Sequence, residues 1–268
     1  MICKNYKVIF IHIPKTGGMS ITNIFRKDPK SSFNGMKFGI REKDGTIRKD
    51  GILMGPHGTI KDHKRLMDKD IFDEYFKFSV IRNPWDRFAS IYKYFIQKGT
   101  LAKPGNSKGH GPPFSSFGWE HKKGPIPAGI MKKLVRGNRN KEKLKDYLNI
   151  SNYKVIEFDE FVERTKDSID NTEFNPPRGV DRLWPRSQFN FLSIDGELVV
   201  DNLIRFENLE EDFYKICNKF GMEKPKIFPH INIQQDTTHY TELYNDTTIK
   251  LVEEMFGNDI EYFKYKFK

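Results

Sequence analysis

The chain has 268 residues and carries 46 Lys and Arg against 36 Asp and Glu, a formal net charge of +10. Aromatic residues make up 14%, which excludes a disordered chain, and the length suffices to bury a sizeable core. No apolar run approaches the roughly 18 residues of a membrane helix, and the start MICKNYK lacks a signal-peptide apolar stretch. Cys3 and Cys217 stand at opposite ends, without zinc or disulfide spacing. A soluble, cytoplasmic protein is expected. The positive balance suits a polyanionic or phosphorylated partner, and equally a solvated lysine-rich surface. No zinc-finger, RRM or helix-turn-helix signature accompanies it, so nucleic acid is not an expected partner.

In chain order, Tyr6–Ile13 (YKVIFIHI) reads as a buried strand ending at Pro14, followed by a glycine-bearing turn and a helix from about Met19. Lys30–Gly55 is polar, with a hairpin expected at Asp44-Gly45. His63–Tyr75 looks helical, Phe76–Ile81 is a second apolar strand, and Asn83-Pro84 caps a helix toward Gln97. Residues 99–127 hold many Gly, Pro and Lys and read as a long loop insert, a lid or a solvated segment. Leu134–Leu148 is expected to be helical and Lys154–Phe158 a strand. Phe189–Asp201 reads as a hairpin turning at Asp195-Gly196, and Leu203–Phe206 as a short strand. Asn208 with Glu211 resembles a capping box, Gly221 closes that helix, and a last helix spans about Asp246 to Gly257. Tyr262–Phe267 is a final packed aromatic run. Strands separated by helices predict one α/β domain with a mainly parallel sheet.

Two segments carry chemistry. A strand, a tight turn and a helix N-terminus together make an anion site, because loop N–H groups and the helix dipole converge on it. Here the turn runs from Pro14 to Ser20. Gly17 and Gly18 would admit close backbone approach, Lys15 adds a point charge, and Thr16 and Ser20 offer hydroxyls. The order differs from GxxxxGK[ST], since Lys15 precedes both glycines. Alone, the segment could equally be a glycine-rich turn with an incidental lysine. The second segment, FKFSVIRNPWDRFAS, puts Arg82 at the C-terminal end of a strand and Ser90 on the following helix. Strand ends of this kind are where open α/β sheets bind ligands. Arg82 could hold a second phosphate bidentately, or pair with a nearby carboxylate.

Together these segments resemble the sulfotransferase family, in its carbohydrate (Golgi-type and bacterial) branch. PKTGG is similar to the family's 5′-phosphosulfate loop and RNPWDRFAS to its 3′-phosphate motif. HGTIKD, SQFNFL, RFENLEEDF and the C-terminal YTELYNDTTIKLVEEMF extend the likeness over nearly the whole chain. The resemblance implies a P-loop-kinase-like α/β sheet flanked by helices, with 3′-phosphoadenosine 5′-phosphosulfate (PAPS) as donor and adenosine 3′,5′-bisphosphate (PAP) as product. It implies no metal, and a hydroxyl-bearing acceptor, foremost a glycan. Lys15 then matches the lysine at the 5′-phosphate and bridging oxygen. Thr16, Gly17, Gly18 and Ser20 match the rest of that loop, and Arg82 and Ser90 the 3′-phosphate pair. His57, in GPHGTIKD, matches the branch's catalytic base. Gln188 matches a family position to which no role is carried over. The absence of a membrane segment departs from the family's Golgi-anchored animal members.

Sulfuryl transfer needs a base for the acceptor hydroxyl, positive charge on the leaving phosphate, and positioning. Histidine suits the first task. Of seven histidines, His57 is preferred over His12, His110, His121, His230 and His239, and over His63, which is assigned to a helix surface. Trp85 is assigned to packing, Asp86 and Arg87 to local ion pairs, and Glu207 to a structural contact. Lys103, Lys108, His110, Lys122 and Lys123 would let the 99–127 loop touch an anionic acceptor. Two other readings stay open: a nucleotide-dependent phosphotransferase, and a non-catalytic binder of nucleotide or polyanion.

Overall fold

The β-branched and aromatic run that opens the chain folds back on itself before joining two later strands. In the computed structural model the described residues are 1–31, 33–34, 57–98, 119–121, 153–155, 157–170, 186–231 and 238–268. In chain order come β1 (Ile2–Cys3), β2 (Val8–Ile11), α1 (Gly18–Lys27), β3 (Phe33–Asn34), α2 (Ile60–Leu66), α3 (Lys69–Glu74), β4 (Phe76–Ile81) and α4 (Pro84–Lys98). Next are β5 (Trp119–His121), β6 (Tyr153–Val155), α5 (Phe158–Asp170), α6 (Gln188–Leu192), β7 (Ser193–Ile194), β8 (Glu197–Leu198) and β9 (Asn202–Arg205). A 3-10 turn over Phe206–Asn208 leads to α7 (Leu209–Phe220), and a second over Tyr240–Leu243 leads to α8 (Asp246–Met255) and α9 (Gly257–Phe263).

These residues fall into two compact units. The first comprises Met1–Asn83, Arg186–Ile233 and Glu261–Lys264, the second Pro84–Pro185, Gln234–Ile260 and Tyr265–Lys268. The first unit holds a five-stranded sheet in the order β3-β1-β2-β4-β9. β2, β4 and β9 are parallel, with Ile11 opposite Ser79 and Ile81 opposite Arg205; β1 runs antiparallel to β2 and to β3. All four residues of β2 are buried, as a strand covered on both faces requires. Phe10 and Phe78 stack at 5.0 Å between centroids, and Phe25 of α1 and Phe213 of α7 pack onto them. Each such ring contributes roughly 2–3 kcal/mol of burial. The second unit gathers α4, α5 and α8 around Phe88, which meets Phe158, Phe161 and Phe256. Trp85 is buried there and donates Nε1–H to the Ile249 carbonyl.

Phe76–Ile81 is a strand over the residues expected, and the hairpin does turn at Asp195-Gly196, both with positive φ. Other expectations shift. The helix read over His63–Tyr75 is two helices, because Met67 takes extended backbone between them. The strand read over Lys154–Phe158 ends at Val155; Phe158 instead opens α5, where Asp159 and Glu160 favour a helix start. Gln188–Leu192 is helical, with Ser187 capping it. Asn208 makes no side-chain cap because it closes the 3-10 turn, whereas Gly221 (φ 63) does end α7. Gly257 begins α9 rather than ending α8. The Asp44-Gly45 hairpin, the Leu134–Leu148 helix and the 99–127 loop lie outside the described residues, save β5, which pairs antiparallel with β6.

Candidate functional site

β2 delivers the chain to a turn that its own packing dictates. Lys15 (φ 68) and Gly17 (φ 84) are both left-handed, a conformation that is costly for lysine and free for glycine. A Cβ on Gly17 would lie 2.9 Å from Leu209 Cδ2 and 3.0 Å from Phe206 Cδ2; one on Gly18 would lie 2.2 Å from His12 Cδ2. Both glycines therefore answer to neighbouring side chains as well as to any ligand. Thr16 is fully buried and donates its hydroxyl to the Ile13 carbonyl at 2.9 Å, closing the turn from within. Ser20 is buried too, its oxygen accepting from the Ile231 N–H at 3.3 Å. α1 begins at Gly18 with no acid in its first turn, so nothing on the helix itself offsets its positive end.

Arg82 follows β4 as Lys15 follows β2, so the two cations leave adjacent parallel strands at the same end of the sheet. The Arg82 guanidinium lies 4.0 Å over the Phe206 ring and donates from Nη1 to the Lys15 carbonyl at 3.0 Å. Its backbone is held by Gln188, whose Oε1 accepts from the Arg82 N–H (2.9 Å) and whose Nε2 donates to the Arg82 carbonyl (2.8 Å). Glu207 accepts from the Asn83 N–H at 2.9 Å. Ser90 lies on α4 in the second unit and is buried.

His57 is half-buried in the first unit, its Nδ1 3.0 Å from the His12 carbonyl. A carbonyl only accepts, so Nδ1 carries the proton and Nε2 is the basic nitrogen of the neutral ring. The His12 ring stands edge-on to His57 at 4.5 Å. His12 is buried and its Nδ1 has no hydrogen-bond partner among the described residues. Burial foremost, then the neighbouring His57 and the terminal amine, hold it well below the ordinary histidine range. His63 is not on a helix surface. It is 2% exposed, donates Nδ1–H to the Thr59 carbonyl at 2.8 Å, and has Nε2 3.3 Å from the Met1 amine. Burial pushes its pKa down to about 3. That leaves it a structural residue.

Among the described residues no group of three or more metal-ligating side chains converges, and no helix is long and apolar enough to cross a membrane. The model of the sulfotransferase family matches residues 1–266. The chain belongs to the sulfotransferase family. Neither a curated relative nor a solved structure matches it. Membership supports sulfuryl transfer to a hydroxyl-bearing acceptor. Two residues that hold Arg82, Phe206 and Gln188, carry no sequence signal of that contact. From sequence Phe206 reads only as the last residue of a strand, and Gln188 only as a family position. Their contacts join segments far apart in the chain and leave no local pattern.

Proposed function

We propose that this sulfotransferase takes PAPS as donor and transfers its sulfuryl group to a carbohydrate hydroxyl. The observation that carries the reading is the pairing of Lys15 and Arg82 at the ends of adjacent parallel strands, with Arg82 bonded to the Lys15 carbonyl beside the N-terminus of α1. A nucleotide phosphorylated at both 5′ and 3′ positions needs two cationic subsites, and this bond ties the Arg82 guanidinium to the backbone of Lys15. PAPS supplies a sulfuryl group on a bisphosphate leaving group. Lys15 and the loop N–H groups bear the charge that grows on the 5′-phosphate, where a positioned cation is most effective. Arg82 holds the 3′-phosphate and converts binding into orientation. His57 Nε2 takes the proton of the acceptor hydroxyl as the new O–S bond forms and the S–O bond to the 5′-phosphate breaks, PAP departing.

The carbohydrate acceptor rests on the likeness of PKTGG and RNPWDRFAS to that branch, and the +10 charge suits a glycan that is itself anionic. We read the chain as one P-loop-kinase-like catalytic domain with an insert at 99–127, and the family match over 1–266 favours sulfuryl over phosphoryl transfer. Calorimetric titration with PAP, beside ADP and ATP and without metal, tests the donor. PAP is expected to bind most tightly, with that preference lost in Arg82→Ala. Equal binding of all three, or a magnesium-dependent preference for ATP, overturns the donor assignment.

A further inference from the structure

Arg82 can discriminate a 3′-phosphate only if its guanidinium is aimed, because two-point phosphate recognition tolerates little displacement. Its side chain is constrained on two sides, by the Phe206 ring face at 4.0 Å and by the Lys15 carbonyl at 3.0 Å. Those contacts set where the head lies but not where the side chain starts. The backbone at Arg82 has no strand to rely on: the β4–β9 ladder ends at the pair Ile81–Arg205, and β9 then gives way to the 3-10 turn over Phe206–Asn208. Gln188 fills that gap. It is 0% exposed, and its carboxamide takes the N–H and gives to the carbonyl of the same residue, as a neighbouring strand would. Glutamine offers one acceptor and two donors at one planar end, which a hydrophobe of equal size cannot.

Resting on the donor reading above, we propose that Gln188 is the positioning residue for 3′-phosphate recognition, its carboxamide prolonging β4 by one residue so that Arg82 is aimed. Gln188 touches no ligand in this scheme. It acts through Arg82 and determines specificity, not the chemical step.

The test compares PAP with adenosine 5′-monophosphate, which differ only in the 3′-phosphate, by calorimetry on the full chain. In Gln188→Met, of similar volume but without either bond, the preference for PAP should fall about ten-fold or more, while affinity for the monophosphate stays within about two-fold. Gln188→Glu keeps the acceptor for the Arg82 N–H and loses the donor, so it should fall in between. It also decides the matter on the same ratio if the methionine variant does not fold. A purely structural role weakens both nucleotides together and leaves the ratio intact; that result, or an unchanged ratio with unchanged affinities, overturns the inference. If the wild type itself shows no preference for PAP, the donor assignment fails first and this inference falls with it.

Discussion

Gly18→Ala tests whether the turn is held by its own packing. The added Cβ would stand 2.2 Å from His12 Cδ2 and 2.5 Å from Nε2, more than an ångström inside the ~3.5 Å of ordinary carbon contact. The ring has little room to yield: it is 4% exposed, stacked on Phe10 at 5.6 Å and edge-on to His57 at 4.5 Å. Overpacking a tight interior costs about 1–3 kcal/mol, while alanine gains ~1 kcal/mol over glycine in a helix, so a net loss of up to ~2 kcal/mol is expected. His12→Ser removes the ring. In that background Gly18→Ala should keep only the helix gain of up to ~1 kcal/mol, giving a coupling of ~1–3 kcal/mol in the double-mutant cycle. Urea unfolding followed by circular dichroism at neutral pH measures all four proteins. Turnover should fall in Gly18→Ala as well, since the displaced ring presses on His57. An equal cost of Gly18→Ala with and without the His12 ring would refute the reasoning.

Three further outcomes are expected. His57→Ala should lose turnover while calorimetry finds PAP affinity nearly unchanged; loss of PAP binding would move His57 into the donor pocket. Lys15→Gly removes a charge and a left-handed lysine together, so turnover should collapse while urea stability holds or rises by up to about 1 kcal/mol; a clear loss of stability would show that the lysine side chain holds the turn. His63 binds a proton far more weakly folded than unfolded, its pKa falling from 6.5 to about 3. Its contribution is therefore complete above pH 6.5 and drains away as the pH drops toward 3, by up to about 5 kcal/mol. His63→Gln should flatten that acid limb, and an identical limb in the variant would place the acid sensitivity elsewhere.

The parts of the fold legible in the sequence are those that local composition determines. FKFSVI can be buried only as an interior strand, Asp195-Gly196 supplies the two positive φ values a tight hairpin needs, and Gly221 ends a helix for the same reason. The errors have a common cause. Met67 breaks the second helix without a glycine or proline to announce it, and Phe158 belongs to a helix although its neighbours alternate like a strand. Periodicity alone puts His63 on a helix surface, because it cannot show that the Met1 amine and the Thr59 carbonyl meet its ring.

At the site the division is sharper. The sequence shows a lysine before paired glycines and an arginine after a strand, so the two charges can be named in advance. Their aim cannot. It is set by Gln188, 106 residues beyond Arg82, and by a Phe206 ring that both seats Gly17 and underlies the guanidinium. The glycines show why pattern alone stops short. A phosphate pressed against Gly17 and Gly18 would exclude a side chain there, and so do Phe206, Leu209 and the His12 ring without any ligand. Both demands write the same two letters. They separate only in measurement, because crowding by the protein's own rings lowers stability in the empty protein, whereas crowding by a phosphate lowers affinity alone.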